Sequence, residues 1–206
     1  MAGKAKADDR PAPLSLRERN RLRTRRELLD AALEVFAESG YGSATVENIA
    51  ARAGASKVTL YSYFPQGREE LFRELYEEIN TEVIEKTSAI YAAEGGDFTT
   101  RVLAVTEVLL EIGRRPLVGR FYSIDDPALD QALNPVRGHA SRVTADLISA
   151  DLAAAQEAGA VTTTAPPAAI AELLVGAMRS ALSEVARARA TSKDLTAAME
   201  ALVSGL

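Results

Sequence analysis

The chain has 206 residues, 47% of them hydrophobic and 5% aromatic, which is enough apolar material for one medium domain or a small domain joined to a larger one. The lack of cysteine excludes a disulfide framework and thiolate chemistry, and with His139 as the single histidine the usual zinc sites cannot be assembled, so neither metal nor cofactor is expected. A formal net charge of -5, taken as an average, speaks against a nucleic-acid partner.

That average hides a division along the chain. Eleven basic and eight acidic residues precede Pro65, while thirteen and twenty-one follow from there on; residues 1–26 alone hold nine basic against three acidic. The first residues lack the apolar core of a signal peptide, and the longest apolar stretch, AAIAELLVGAM, is short and broken by Glu172. No membrane segment and a cytoplasmic location are therefore expected.

Abundant Ala and Leu without Trp favour helices over a β-sandwich or barrel, so the expected fold class is all-α, with about nine helices. Residues 1–21 mix Pro, Ala, Lys, Asp and Arg without apolar periodicity and read as a flexible basic arm. From about Leu22 a first helix carries Leu29, Leu33 and Phe36 at helical spacing and closes at Glu38-Ser39-Gly40. Thr45 is placed to cap a second helix bearing Val46, Ile49 and Ala50, which Gly54 stops; Ser56 is placed to cap a short third helix with Leu60 and Phe64 inward. Two short helices across a glycine turn make a helix-turn-helix. A long amphipathic helix follows from Arg68 to about Ala92, with Leu71, Leu75, Ile79 and Val83 as its stripe. Further helices are expected at about Phe98 to Arg114, Leu117 to Ser123, Val136 to Ala158, Pro167 to Ala188 and Ser192 to Val203, with turns at Asp125-Asp126-Pro127, Asn134-Pro135 and Thr162-Thr163-Thr164.

A helix of two turns has little stability of its own, so the third helix must be held from behind by Leu60 and Phe64 while it presents something outward. What it presents is a cation, hydroxyls and amphipathic rings: Lys57, Val58, Thr59, Tyr61, Ser62 and Tyr63. These groups suit phosphate oxygens, base edges and thymine methyls. No acidic residue falls between Gly54 and Gly67. The bland alternative, a connector whose tyrosines only cover the core, leaves the preceding helix and turn unexplained.

The run TVENIAARAGASKVTLYSYF, Thr45 to Phe64, with LLDAALEVFAESGYGSATV before it and REELFRELY after it, resembles the helix-turn-helix of the tetracycline-repressor (TetR) family of bacterial regulators. The resemblance covers residues 22–84; beyond them it is one of layout. It implies an N-terminal three-helix DNA-binding domain, residues 22–84 with the motif at 45–64, and a larger helical domain, residues 85–206, for effector binding and dimerisation. It further implies that Thr45, Val46, Ser56, Lys57, Val58, Thr59, Tyr61, Ser62 and Tyr63 meet DNA, with Arg68 on a phosphate. The sequence departs from the family pattern at Val58, at Asn48 in place of an acidic capping partner, and in a connection, FPQGREEL, one residue longer than usual. Arg17, Arg19, Arg21, Arg23, Arg25 and Arg26 would follow phosphates or enter a minor groove.

The family reading also implies a homodimer on a palindromic double-stranded operator, since one such motif reads few base pairs. Leu173, Ala177 and Ala181 of the penultimate helix and Leu195, Met199 and Leu202 of the last are the candidates for its interface. A small-molecule effector of unspecified identity would release a repressor from DNA. Phe98, Arg120, Phe121, Tyr122, His139 and Arg142 are the candidates to meet it, each also explicable as core packing or a surface pair. Against this stand an enzyme, for which no positioned catalytic set is visible, and a helical binding module without DNA-binding activity.

Overall fold

The computed structural model describes residues 14–127, 129, 133, 136 and 138–206. The expected arm before Leu14 and the Asn134-Pro135 turn lie outside the described residues. Among those described there are nine helices and no strand: α1 (Leu16–Ser43), α2 (Val46–Arg52), α3 (Lys57–Tyr63), α4 (Arg68–Ala92), α5 (Phe98–Arg114), α6 (Pro116–Tyr122), α7 (His139–Glu157), α8 (Pro167–Ala186) and α9 (Ser192–Ser204). None of them is long and apolar enough to cross a membrane.

Most starts follow from capping side chains. Thr45, Ser56, Asp97 and Thr191 each accept a hydrogen bond from the backbone three residues on, which satisfies one of the free N–H groups of a helix start. The same device corrects the sequence reading of residues 16–21, which are not an arm. Ser15 caps α1 and Glu18 reaches back to the Ser15 N–H at 2.8 Å, a complete capping box that nucleates a helix without apolar periodicity. α1 then bends at Gly40, where φ is 74°, and adds a last turn to Ser43.

Two clusters form one continuous core. In the first, Leu28, Leu29, Ala32 and Phe36 of α1 meet Ile49 of α2, Leu60 of α3 and Leu71, Phe72 and Leu75 of α4, all fully or almost fully buried. In the second, Ile79 and Val83 of α4 join Val102, Val105 and Leu109 of α5, Ile148 and Leu152 of α7 and Leu174, Met178 and Leu182 of α8. α4 belongs to both. The short α6 belongs to both as well, because its two last residues point in different directions. Phe121 is fully buried against Phe72, with centroids 4.5 Å apart, and Phe36, 6.0 Å apart. Tyr122 turns to the other cluster, donating to Asn80 Oδ1 at 2.7 Å and lying 4.9 Å from the Tyr76 ring.

Ion pairs tie the outer surfaces. Arg26 joins Asp30 and Glu78, Arg25 joins Glu74, and Arg101 of α5 grips Asp151 of α7 with a bond of 2.9 Å from Nε. The Arg101–Asp151 pair is the most enclosed of these. Its fork geometry brings two parallel bonds to one carboxylate.

Phe121→Ala is expected to lower the unfolding free energy by about 3–5 kcal/mol, the usual cost of emptying a buried aromatic site. Chemical denaturation of wild type and variant measures it; a loss below about 1 kcal/mol would show that the ring is not packed in the core.

Candidate nucleic-acid interface

The α2–α3 unit is built by a turn that closes on itself. Ala55 N–H donates to Ala50 O at 2.9 Å and Gly54 N–H to Ala51 O at 3.1 Å, with Gly54 at φ 64°. A side chain would be strained in that left-handed conformation. The turn leaves Leu60 and Phe64 fully buried, so α3 is anchored along its back. The Arg25 guanidinium covers the Phe64 ring at 4.9 Å. The front is solvent-facing: Val58 is 80% exposed and Tyr61 45%.

The side chains of that front are pre-positioned by local bonds. Ser56 caps α3 by accepting from Thr59 N–H at 3.0 Å, and its hydroxyl lies 2.9 Å from the Thr59 hydroxyl. Ser62 donates to Thr59 O at 2.6 Å. Thr45 accepts from Asn48 N–H at 3.1 Å at the start of α2. Tyr61 lies against Gly67, where an added Cβ would come within 3.2 Å of both the Tyr61 ring and the Val46 side chain. Gly67 also has φ 64°, so this position requires glycine on both counts. Tyr63 is half-buried, facing Arg21 at 5.9 Å.

Three expectations change. Val46 is buried at 9% exposure and serves the core, since the apolar side of α2 turns inward at its first residue. Arg68 is turned toward the fold: its Nη1 donates to Tyr41 O at 3.2 Å and Ala44 O at 2.8 Å, and its guanidinium stacks 4.7 Å over the Tyr41 ring. The longer connection turns this side chain inward, where it latches the α1–α2 corner to the start of α4. Lys57 is paired with Glu47 of α2, ten residues earlier in the chain. The hydrogen bond with Glu47 raises the Lys57 pKa and lowers that of Glu47, so both stay charged. Arg52 is likewise held by Glu38 and Glu34, each at 2.8 Å, with its pKa raised.

The candidates for effector contact scatter. Phe98 and Phe121 are core residues. Arg120 is exposed and donates to Pro116 O at 3.0 Å, and Arg142 is exposed on α7. His139 borders an open groove of about 440 Å³ with Glu77, Asn80 and Ile84. Only Tyr122 reaches an interior space. It lines both a small apolar cavity of about 20 Å³, with Val83, Leu109, Val175 and Met178, and a wider mouth of about 350 Å³ bearing Ser183 and Arg187. Arg179 borders both spaces. Burial raises the Tyr122 pKa well above the usual phenol range, so it remains a neutral donor. Arg179 was legible as the one cation inside the apolar run of α8, but its direction was not.

Of the dimer candidates, Ala181 and Met199 are buried within the subunit. Ala177 and Leu195 are half-buried, while Leu173 is 72% and Leu202 59% exposed. α8 and α9 thus spend one face on their own core and keep an apolar remainder outside.

Residues 28–75 match the model of bacterial regulatory proteins of the tetR family. The match takes in α2 and α3 together with the parts of α1 and α4 that hold them. Over 60 residues it is 38% identical to the fatty acid metabolism regulator protein of Bacillus subtilis (strain 168), a segment that is 29% of this chain and spans 30% of that relative. The TetR fold extends much further. A TetR-like transcriptional regulator from Rhodococcus sp. RHA1 superposes with a TM-score of 0.70 at 21% identity, over 94% of this chain and 97% of its own. FadR from Bacillus subtilis in complex with stearoyl-CoA gives 0.71 at 20% identity, over 88% and 98%.

Arg68→Ala is expected to cost about 1–3 kcal/mol of stability, because the Tyr41 and Ala44 carbonyls lose a charged donor. Thermal or urea melts of the variant measure this, and a neutral outcome would release Arg68 for another role.

Proposed function

We propose that this protein is a sequence-specific transcriptional regulator of the TetR type, a repressor that binds a two-fold DNA operator as a homodimer in the cytoplasm and is released by a small molecule. The observation that carries the reading is α3: fully buried on Leu60 and Phe64, it offers Val58, Tyr61 and Ser62 to solvent on a pre-ordered surface, with Thr59 half-buried beside them. A helix in that setting fits the major groove, where hydroxyls and rings meet phosphates and base edges and Val58 meets a thymine methyl. A helical module without DNA-binding activity would have no use for an exposed valine flanked by locked hydroxyls.

The exposed Leu173 and Leu202 support a bundle of α8 and α9 with their copies in a second subunit. Such a dimer sets the spacing of two reading heads, about 34 Å for successive turns of one DNA face.

The effector reading rests on the space at Tyr122. Its apolar inner part, with Val83, Leu109, Val175 and Met178, adjoins a mouth that bears Arg179 and Arg187 with Asp125 and Glu184 on the same rim. An apolar tail with a polar head that those charged groups can grip suits that order, and the FadR of similar fold is in complex with stearoyl-CoA. The inner part, about 20 Å³, holds no tail as it stands, so entry must displace side chains, Tyr122 among them. Tyr122 is followed back along α6 by Phe121, which sits in the core of the reading head. Displacing one therefore biases the other, and a coupling of about 1–3 kcal/mol weakens operator binding roughly 5 to 150-fold.

Selection of duplexes from a random-sequence library by the full-length protein is expected to recover an inverted repeat, and Tyr61→Ala to abolish that recovery without unfolding the chain. No enrichment by the wild type sinks the regulator reading. Leu173→Glu combined with Leu202→Glu is expected to convert a dimer to a monomer in analytical ultracentrifugation and to reduce operator affinity at least tenfold; an unaltered mass would place the interface elsewhere.

A further inference from the structure

We infer that the overhanging start of α1 and the end of α3 form a second binding site, a groove for the DNA sugar-phosphate backbone beside the bases that α3 reads. The inference rests on the regulator reading above and adds a site to it.

The distribution of charge comes first. Most cations near the reading head are already spent within the fold. Lys57 is held by Glu47, Arg52 by Glu34 and Glu38, Arg25 by Glu74 and Arg26 by Asp30 and Glu78. Arg68 is occupied by backbone carbonyls. Among the described residues, Arg17 and Arg19 form no ion pair, and Arg21 faces only the Tyr63 ring at 5.9 Å. A surface that binds a polyanion needs cations that are not already neutralised. Here they lie on the first turns of α1.

Geometry then selects a face. Arg17, Asn20, Arg21 and Thr24, spaced i, i+3, i+4 and i+7, share one side of α1 and wall a groove of about 740 Å³ whose other wall is Ser62 and Tyr63 of α3. Guanidinium, amide and hydroxyl groups can all donate to phosphate oxygens. No carboxylate lines the groove. Glu18, the one acidic side chain on these turns, is folded back onto Ser15, at 2.8 Å from its N–H and 2.7 Å from its hydroxyl. Arg19 and Arg23 point away from this face, and Arg23 pairs with Glu27 at 3.6 Å.

Stiffness decides what kind of DNA feature the groove can take. These turns are helix, not a thread, because the Ser15 capping box fixes them. A helix with its side chains is about 10–12 Å across, whereas the minor groove is about 6 Å wide. Entry of this helix itself into the minor groove is therefore excluded on size, and the contact we assign to it is with the backbone. Residues 16–24 carry no buried side chain, so the overhang contributes little to the core it projects from. It meets α3 through Arg21 over the Tyr63 ring, one turn on from Thr59.

The test uses the full chain and the duplex that the wild type recovers from a random-sequence library. Each phosphate neutralised contributes about 0.9 to the slope of log affinity against log salt. The double variant R17A/R21A is expected to keep the selected sequence and fold, but to show a slope shallower by about 3.6, since the dimer loses two contacts in each subunit. Between 50 and 200 mM salt the wild type should then lose roughly 150-fold more affinity than the variant. Trimming the duplex outside the selected bases should weaken the wild type and leave R17A/R21A unaffected. R17K/R21K should retain the wild-type slope, because the slope counts charge. Identical slopes for wild type and R17A/R21A would overturn the groove, as would an equal change in R19A/R23A on the other face. Recovery of no duplex by the wild type would instead bring down the regulator reading, and this site with it.

Discussion

The molecule depends on one packing constraint, the seating of Phe121 against both Phe36 and Phe72, which also touch each other. α6 is only seven residues long, too short to be stable alone, so its position is set by what its last side chains fill. Phe121 fills the core of the reading head. Tyr122, the next residue, faces the opposite cluster and bonds to the buried Asn80 of α4. Two neighbouring residues thus tie the two halves through contacts that close-packed interiors do not deform gradually. A change near Tyr122 is therefore expected to reach α1 and α4.

A second theme is the economy of charge around α2 and α3. Carboxylates of α1, α2 and α4 hold the basic side chains that a sequence reading would hand to DNA. Exposed pairs of this kind contribute little stability, on the order of 0–1 kcal/mol each. Their effect is instead on what is left over. With Lys57, Arg52 and Arg68 occupied, the reading surface is chiefly hydroxyl, ring and valine, which favours shape and base-edge contact over bulk attraction. In the proposed regulator, attraction would be left to the start of α1, and the division would separate sequence reading from electrostatic capture.

The acidic remainder of the chain has a different logic. α8 serves three surfaces in turn: its core face carries Leu174, Met178 and Leu182, its exposed face Leu173, and its polar positions Arg179 and Ser183 border the mouth at Tyr122. An event in that mouth is therefore adjacent to the face offered for self-association. In the proposed ligand-responsive dimer, this one element would link helix position, subunit spacing and ligand entry without any need for long-range wiring.

The helical class, the helix-turn-helix and its anchors Leu60 and Phe64 were readable from Thr45 to Phe64 because periodicity and capping act within a few residues. So was the break at Gly54, where backbone conformation demands glycine. The early start of α1 was also written locally, in Ser15 and Glu18, but it carries no apolar repeat and so escaped a reading guided by hydrophobicity. Other matters belonged to tertiary structure alone. That Lys57 meets Glu47, that Arg68 turns in to Tyr41 and Ala44, that Val46, Ala181 and Met199 face a core, and that Phe121 and Tyr122 part ways are all decided by where distant segments are brought together. A sequence specifies which groups can pair; only the packed chain decides which partner lies within reach.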